Sequence, residues 1–336
     1  MEFAYLHICH YLCDKIRAMI QKGVPLKDYS NYKIGGPAAY FLEISTKEEL
    51  SEGLKEWKRI SSIFPEDKKE IFVLGKGTNI LISDKGFNGL VIHNNILGIE
   101  KKEEDLVIGA GVLVSQILSF CIENQLSGLE WAGGLPGTIG GAVRGNAGAF
   151  IGEVKDIIKE VVSFDFNTLE EKKRAYLECL FDYRYSVFKS EQGRKEIIIS
   201  VTLRLQTGDR EAIKRSIQEK IDYRNTKHPM EYPNIGSTFK NVKIESVPEN
   251  WKKELAPYVK NDPFPVVPSA KLLFLANVKG KKIGEAMISD KHPNFIVNLG
   301  NATSSDVKTL IAFAKNAVKE KFNIELEEEI MYLGPA

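Results

Sequence analysis

A glycine-rich stretch is the part of this 336-residue chain whose residue types best suit binding of an anionic ligand. Seven glycines fall between Gly133 and Gly148, among small and aliphatic residues. Glycine loses more conformational freedom on folding than any other residue, so this density indicates a backbone that approaches a ligand closely or adopts positive φ. The interleaved Leu135, Ile139 and Val143 argue against a flexible, serine-rich linker. We therefore expect backbone N–H groups here to bind an anion.

A second turn, Gly75-Lys76-Gly77-Thr78-Asn79, follows the short apolar run at 71–74. It is not a Rossmann fingerprint, because Ile80 stands where a third glycine is needed and the next residues predict strands instead of a helix. It is not a P-loop either, since that motif requires the order GxxxxGK[ST]. The glycines and Thr78 offer donors that suit a phosphate. For this pentapeptide alone, a phosphate-binding turn and an ordinary β-turn fit the sequence equally well.

Two polar residues outside the glycine stretches are candidates for chemistry. Arg184 lies in the aromatic run FDYRYSVFK (181–189), where its guanidinium either stacks on a ring or binds a carboxylate or phosphate, and the sequence favours neither. Ser237 follows a glycine in PNIGSTFKN (233–241), a setting more typical of a turn residue than of a nucleophile. No GxSxG elbow surrounds it, which argues against a hydrolase.

Four glutamates in the run IELEEEIMYLG (324–334) form a third candidate. If this run is a strand, alternation places Glu325, Glu327 and Glu329 on one face and Glu328 on the other. Runs of charge are usually solvated. We therefore expect three of the four carboxylates to face solvent and one to face a cleft.

Composition excludes several classes of function. The formal net charge of +1 gives no reason to expect a nucleic-acid partner or an anionic membrane surface, and no apolar run is long enough to span a bilayer. The cysteines, at 9, 13, 121 and 179, lack metal-binding spacing and predict reduced thiols in a cytoplasmic protein. The five histidines show no metal motif, so we expect no metal site.

Hydrophobic periodicity places these candidates on alternating helices and strands. Amphipathic spacing predicts helices at residues 2–22, after a Thr46/Glu49 capping box, over 112–126, after Asp209 and after Thr303. Apolar runs and alternation predict strands at 71–74, 158–166, 171–178, 196–206 and 324–334. The proline-rich segment 245–268 predicts loop with a short helix near Trp251.

Seven motifs, in this order, resemble one family closely. They are NYKIGGPA (31–38), LGKGTNIL (74–81), GLPGTIGGAVRGNAGAF (134–150), YRYSVFK (183–189), YRNTKHP (223–229), GSTFKN (236–241) and LEEEIMYLG (326–334). The chain is similar over roughly residues 28–334 to the UDP-N-acetylenolpyruvoylglucosamine reductases of peptidoglycan synthesis, commonly called MurB. The ordered combination is specific, although LGxGTN alone is not.

The resemblance implies an α+β fold: a two-subdomain FAD-binding fold of the vanillyl-alcohol-oxidase (PCMH) type plus a C-terminal α+β substrate-binding domain. It divides the chain into an N-terminal helical extension and three domains, with limits 1–27, 28–95, 96–208 and 209–336. It also implies the cofactors FAD and NADPH. In the implied reaction NADPH reduces FAD. The flavin N5 then gives hydride to the enolpyruvyl methylene carbon of UDP-N-acetylglucosamine enolpyruvate, and protonation of the adjacent carbon yields UDP-N-acetylmuramate.

Three residues of this sequence match the family's catalytic positions. Ser237, in GSTFKN, would donate the proton. Arg184, in YRYSVFK, would stabilise charge that develops on the substrate carboxylate. Glu329, in LEEE, would assist through hydrogen bonding or proton supply, because a serine is a poor acid without such neighbours.

Other residues match the ligand-binding positions of the family. The cofactor-binding set is Gly75, Lys76, Gly77, Thr78, Asn79, Ile80, Gly134, Pro136, Gly137, Thr138, Gly140, Gly141, Asn146, Ala147 and Gly148. The substrate-binding set is Arg224, Lys227, Lys240, Asn241 and His292. The partner is thus a small UDP-sugar, and we expect a monomer.

The sequence departs from the family pattern at several points, of which two bear on the site, and two competing functions remain. Arg144 stands where an uncharged residue is expected, and 245–268 resembles an insertion, which we expect to cover part of the nucleotide site. One alternative is an FAD-dependent oxidase of the same fold acting on a small alcohol. The other is a non-catalytic protein that binds FAD or a nucleotide sugar. GSTFKN and LEEEI weigh against the oxidase, because the resemblance assigns them to the substrate domain.

Overall fold

The structure is a computed structural model that describes residues 20–103 and 105–335. Its first sheet has four strands, in the spatial order Ile20–Pro25, Pro37–Ile44, Phe87–Asn94 and Ile71–Leu74. The first pair is antiparallel and the other two pairs are parallel. The helix Lys47–Ile60 packs on this sheet through Leu50, Leu54 and Trp57. Its predicted cap is confirmed, because Thr46 accepts a hydrogen bond from Glu49 N.

The second sheet has five antiparallel strands, in the order Glu171–Ala175, Ile158–Asp165, Glu196–Arg204, Asp105–Gly109 and Ile99–Lys102. The predicted hairpin and the long alternating strand that follows it are both present. The helices Val114–Glu123 and Arg210–Lys227 bury Ile117, Leu118, Ile213 and Ile217 in the core of this sheet. The helix that begins the predicted substrate domain thus packs on the preceding unit.

The C-terminal unit is α+β and has its own core. Its helices are Glu249–Leu255, Ser269–Leu275 and Ser304–Phe322. Two small antiparallel sheets accompany them, with the strands Val242–Lys243, Pro265–Val267 and Lys260–Asn261 in one and Lys282–Ile283, Ala286–Ile288 and Ile296–Asn298 in the other. Thr303 and Asp306 form the predicted capping box. The longest helix buries Leu310, Ala314 and Phe322.

Short pairings connect these units around the glycine stretches. Met331–Leu333 pairs in parallel with Ile80–Ile82, which returns the end of the C-terminal unit to the first. The remaining pairs join Leu126–Ser127 to Gln206–Thr207 and Gly148–Ala149 to Gly152–Glu153. The glycine-rich run itself contains the short helix Ile139–Gly145, capped by Thr138.

Three secondary-structure predictions are wrong in part. Residues 20–22, placed at the end of a helix, begin a strand, and the rest of that predicted helix lies outside the described residues. The segment 245–268 contains the predicted short helix near Trp251, Glu249–Leu255, but it also contributes the strands Lys260–Asn261 and Pro265–Val267 where loop was expected. In 324–334 only Met331–Leu333 is a strand. Its acidic part makes a single bridge, Glu328 to Phe239; side chains alternate between buried and exposed over 324–327, and this alternation ends at Glu328 and Glu329, which are both of intermediate exposure.

No helix among residues 20–103 and 105–335 is long and apolar enough to cross a membrane.

Candidate functional site

The two glycine stretches lie against each other and interlock through reciprocal glycine–threonine contacts. A Cβ on Gly75 would lie 2.8 Å from Thr138 Oγ1, and a Cβ on Gly137 would lie 2.8 Å from Thr78 Oγ1. Both distances are too short for non-bonded atoms, so each threonine requires the glycine opposite it. Gly137 also has a φ of 104°, which residues with a Cβ rarely adopt.

A cleft of about 580 Å³ opens beside this contact. Five predicted cofactor-binding residues line it: Lys76, Thr78, Gly134, Pro136 and Gly137. Its other lining residues were not predicted and include Tyr29, Ser30, Asn31, Lys33, His93, Leu113 and Ser115. Asn31 and Lys33 belong to NYKIGGPA, so that motif contained the signal for them. Because burial lowers the pKa of His93, its imidazole is neutral near pH 7.

The cleft fits a diphosphate-bearing cofactor in shape and charge. Its volume falls within the range of about 300–1,000 Å³ that is usual for small-molecule sites. Lys33 and Lys76 outnumber the single carboxylate of Asp28 on its walls, so its field attracts anions. The interlocked glycines leave backbone without side chains at one side of the cleft, as close approach to a phosphate requires.

Several predicted cofactor-binding residues have structural contacts of their own. Asn146 is fully buried at φ 42°, where its amide donates to Asp182 O at 2.9 Å and accepts from Lys155 N at 3.0 Å. Ile80 is buried in the strand that pairs with Met331–Leu333. The side chains of Asn146 and Ile80 therefore serve the fold, and the N–H donors of this stretch would be those available to a ligand.

Arg184 is held from several directions. Its Nε lies 2.8 Å from Glu329 Oε1 in an ion pair, and its Nη2 donates to Gly148 O at 2.9 Å. Its guanidinium carbon also lies 5.0 Å from the ring centre of Tyr183. Burial lowers the arginine pKa, but Glu329, Tyr183 and Glu153 more than offset this and raise it. The stacking interpretation is thus confirmed, and the carboxylate that the arginine contacts in this structure is that of Glu329.

Ser237 and Glu329 are brought together by a short antiparallel ladder. Glu329 N donates to Thr238 O at 2.8 Å, and Lys240 N donates to Glu327 O at 2.9 Å. Ser237 immediately precedes the ladder. The three predicted catalytic residues, which are distant in sequence, therefore belong to one group of contacting segments.

Asn79 connects this group to the glycine cradle, as we call the interlocked stretches 75–80 and 133–148. Its Nδ2 donates to Glu329 O at 3.1 Å, and its carbonyl accepts from Met331 N at 3.0 Å. The position of Glu329 is therefore fixed by the residue that ends the GKGTN turn. Sequence reasoning assigned Asn79 to the cofactor and missed this second role.

The exposure of the four glutamates in the acidic run differs from the prediction. Glu325 pairs with Lys319, Glu327 with Lys240, Glu328 with Lys315, and Glu329 with Arg184. The side chains of the first two are 82% and 72% exposed, whereas those of Glu328 and Glu329 are each 21% exposed. The expectation that three of the four are solvated is therefore wrong, because two are largely buried.

The five predicted substrate-binding residues lie in three places. Lys240 and Asn241 lie near Arg184, since Asn241 N donates to Tyr183 OH at 3.3 Å. Arg224 lies instead against the cradle, where its Nε donates to Gly133 O at 2.9 Å. Burial lowers the pKa of Arg224 to about 10.

His292 and Lys227 lie at the opposite end of the helix Arg210–Lys227 from Asp209. The His292 ring lies 5.2 Å from that of His228, and burial lowers the pKa of each to about 4. Both imidazoles are therefore neutral near pH 7. Lys227, the last residue of the helix, is exposed.

Arg144 and the segment 245–268, two departures from the family pattern, both reach this site. Arg144 Nη1 contacts Met331 Sδ at 2.9 Å, and burial together with Arg194 lowers its pKa to about 10. From the other segment, Asp262 Oδ1 accepts from Ile151 N at 3.2 Å, just beyond the cradle. The Phe264 ring lies 5.0 Å from that of Tyr183. The segment therefore borders Arg184 from the C-terminal unit.

Among the residues of the described ranges, no group of three His, Cys, Asp or Glu side chains could hold a metal ion.

Comparisons with known proteins find a matching family for each of two regions of the chain. Residues 51–167 match the FAD binding domain family, and residues 228–333 match the C-terminal domain of UDP-N-acetylenolpyruvoylglucosamine reductase. The reductase of Caldanaerobacter subterraneus subsp. tengcongensis is 33% identical over 333 residues, covering 96% of this chain and 98% of the relative. That of Caldicellulosiruptor saccharolyticus is 36% identical over 327 residues, covering 96% and 94%.

A solved structure gives the same result for the fold. The crystal structure of the reductase from Thermus caldophilus superposes with a TM-score of 0.72 at 29% identity, covering 94% of this chain and all of that one. The predicted fold class is confirmed: a two-subdomain FAD-binding fold of the vanillyl-alcohol-oxidase type, followed by an α+β domain. The chain therefore belongs to the UDP-N-acetylenolpyruvoylglucosamine reductase family, flavin-dependent oxidoreductases of peptidoglycan synthesis that use FAD and NADPH.

Proposed function

We propose that this protein catalyses the NADPH-dependent, FAD-mediated reduction of UDP-N-acetylglucosamine enolpyruvate to UDP-N-acetylmuramate. The observation that carries this proposal is the ion pair of Arg184 with Glu329, 2.8 Å long, placed at the end of the glycine cradle and beside the Ser237 ladder. Three segments distant in sequence meet there, and each carries one residue to which the proposal gives a role in the reaction.

Arg184 suits the substrate's carboxylate. Its guanidinium is charged, largely removed from water and held on two sides, so it needs little reorganisation when negative charge develops on the conjugated carboxylate. Preorganised charge of this kind stabilises a transition state more than mobile charge in water does. Glu329 holds the guanidinium of Arg184 in place through the ion pair, and it would also stabilise the proton donor, Ser237.

Ser237 would deliver the proton to the carbon next to the one that receives hydride. The hydroxyl follows Gly236, whose φ is 82°, so the serine is presented on a sharp turn. The ladder supports this role, because the residue after the serine, Thr238, accepts a hydrogen bond from Glu329 N at 2.8 Å. A serine acts as an acid only with neighbours that stabilise its conjugate base or resupply the proton, and the Arg184–Glu329 pair would be that neighbour.

FAD supplies the two-electron chemistry that connects NADPH to the substrate. Lys33, Lys76, Thr78 and the backbone of the cradle would hold its diphosphate, since they line the cleft between the interlocked glycine stretches. Lys240 and Asn241, on the C-terminal side, would contribute to binding the UDP-sugar. Cys121 and Cys179 are buried free thiols, which suits the cytoplasmic location that we propose.

A half-reaction assay tests this function. Purified protein should carry bound flavin, and NADPH oxidation should accelerate when the enolpyruvyl UDP-sugar is added, with one UDP-N-acetylmuramate formed per NADPH consumed. A colourless protein that does not bind FAD would contradict the proposal. Reduction of oxygen to peroxide with a small alcohol, and no reaction with the UDP-sugar, would favour the oxidase alternative.

A further inference from the structure

Arg184 occupies a backbone conformation that is unfavourable for an arginine. Its φ is 54°, in the left-handed region that is strained for a residue with a Cβ. The turn that contains it is closed by reciprocal hydrogen bonds, Asp182 N to Tyr185 O at 3.1 Å and Tyr185 N to Asp182 O at 3.0 Å. Such strain persists only where surrounding contacts compensate for it.

Lys189 makes the contact that compensates. Its Nζ reaches back across the turn and donates to Arg184 O at 2.6 Å. A charged donor makes this hydrogen bond stronger than one between neutral groups. Because the bond is to the carbonyl, it fixes the orientation of the Arg184 peptide without occupying the guanidinium.

The ammonium of Lys189 is itself placed by fixed neighbours. Ser186, fully buried, donates to Arg144 O at 2.7 Å, and Phe188 is buried in the core of the second sheet. Arg194 Nε donates to Lys189 O at 3.2 Å. Residues that precede Lys189 and its own backbone carbonyl are therefore anchored, which fixes the point from which its side chain extends to Arg184.

We propose that Lys189 is a positioning residue for the reduction: it holds the Arg184 peptide in its left-handed conformation and so aims the guanidinium at Glu329 and at the substrate carboxylate. The inference rests on the proposed function, because it assigns Lys189 a role through Arg184. Lys189 touches neither the cofactor nor the substrate in this account.

The charges around Lys189 make its contribution sensitive to pH. Arg144 from the cradle helix, Arg184 from the turn and Lys240 from the ladder oppose its protonation, whereas Glu329 favours it. Burial and these cations lower the lysine pKa to about 8. Between pH 7 and 9 the donor therefore changes from ammonium to amine, and the hydrogen bond to Arg184 O loses its charge assistance as the pH rises.

Steady-state kinetics of the FAD-loaded enzyme provide the first test. Lys189→Met should lower kcat by about 10- to 10²-fold, because a small misplacement of a catalytic group is that costly, while KM for the UDP-sugar changes less than threefold. Lys189→Arg, which keeps a charged donor, should recover part of the rate. Lys195→Met is the matched control, since Lys195 is exposed a few residues away, and it should behave as wild type. Equal kcat values for Lys189→Met and wild type would overturn the inference.

The pH profile and a signal from Arg184 itself provide tests that a merely structural role would not pass. The wild-type kcat should fall through an inflection near pH 8 that Lys189→Met lacks, and the same inflection in both would contradict the inference. In [15N]arginine-labelled enzyme, the Arg184 Nε–Hε signal, assigned by its loss in Arg184→Lys, should shift in Lys189→Met and not in Lys195→Met.

The spectroscopic test separates this inference from the proposed function. If wild type does not reduce the UDP-sugar, the proposed function fails, and the Arg184 signal still shows whether Lys189 holds that residue. If wild type is active and the signal is the same in Lys189→Met, the inference alone fails. A thermal melt with a single transition for each variant would show that the comparisons are made between folded proteins.

Discussion

The glycine cradle and the Arg184–Glu329–Ser237 group lie side by side but present different chemical groups, backbone in the first and side chains in the second. The cradle uses backbone: Gly75 and Gly137 are fixed by the threonines opposite them, and no side chain could replace either hydrogen without a clash. The neighbouring group uses side chains, with a guanidinium, a carboxylate and a hydroxyl from three segments. Backbone donors suit an invariant phosphate, whereas side chains allow charge and proton supply to be tuned for one reaction.

Asn79 is the point at which the two regions meet, since it ends the GKGTN turn and donates to Glu329 O. The division of labour between them is therefore testable. Changes in the side-chain group should affect the reaction of the UDP-sugar and leave flavin binding intact. Changes in the cradle should affect flavin binding first.

The largest effect is expected at Ser237. Ser237→Ala should lower the rate of UDP-sugar reduction by about 10²–10⁴-fold, the range for loss of a general acid, while NADPH reduces the bound flavin at the wild-type rate. Stopped-flow measurement of the two half-reactions, followed at the flavin absorbance, separates these rates. Ser305→Ala, an exposed helix position, is the control. Normal turnover in Ser237→Ala would remove this serine from the mechanism.

A somewhat smaller effect is expected at Glu329. Glu329→Gln removes the carboxylate that pairs with Arg184 and should lower kcat for the UDP-sugar by about 10²-fold, as loss of one preorganised electrostatic contact does. The flavin content of the purified enzyme should stay unchanged. Glu325→Gln is the matched control from the same acidic run, because its side chain is 82% exposed. Equal losses in both variants would mean that the run acts through general charge and not through Arg184.

Gly137→Ala tests the cradle. A Cβ there would meet Thr78 Oγ1 at 2.8 Å on a backbone with φ of 104°, strain that costs of order 1–3 kcal/mol. We expect FAD affinity, measured by fluorescence titration of apoprotein, to fall about tenfold or more, the equivalent of 1.4 kcal/mol. Gly145→Ala is the control, since its Cβ would meet nothing within 4 Å. Unchanged affinity in Gly137→Ala would show that this contact does not shape the flavin site.

The two regions were also unequally predictable from sequence. The cradle could be predicted from the spacing of its glycines, because the absence of a Cβ is visible in the sequence without knowledge of the fold. Arg184 and Ser237 were only ambiguous candidates. Sequence alone does not distinguish a stacked arginine from one that binds a ligand, or a turn serine from a catalytic one, because it does not show that Glu329 lies near them in the fold. The family motifs favoured a catalytic role for both residues, which periodicity alone could not do.

The wrong predictions have physical reasons. The run 324–330 alternates like a strand, but ion pairs to Lys319, Lys240, Lys315 and Arg184 direct its carboxylates separately. The segment 245–268 was expected to be mostly loop because of its prolines, yet the three strands Val242–Lys243, Lys260–Asn261 and Pro265–Val267 pair across it. Long-range pairing of such short strands leaves no periodic signal.

The smallest predicted effect concerns that segment, which was expected to cover part of the nucleotide site. Phe264 lies edge-on to Tyr183, and Asp262 accepts a hydrogen bond from Ile151 N. An aromatic pair of this kind contributes about 0.5–1.5 kcal/mol, so Phe264→Ala should raise KM for the UDP-sugar about two- to tenfold with little change in kcat. Phe274→Ala, at a half-exposed helix position of the same unit, is the control. A KM unchanged in Phe264→Ala, with FAD affinity reduced instead, would place the segment with the cradle and shift the boundary between the two regions.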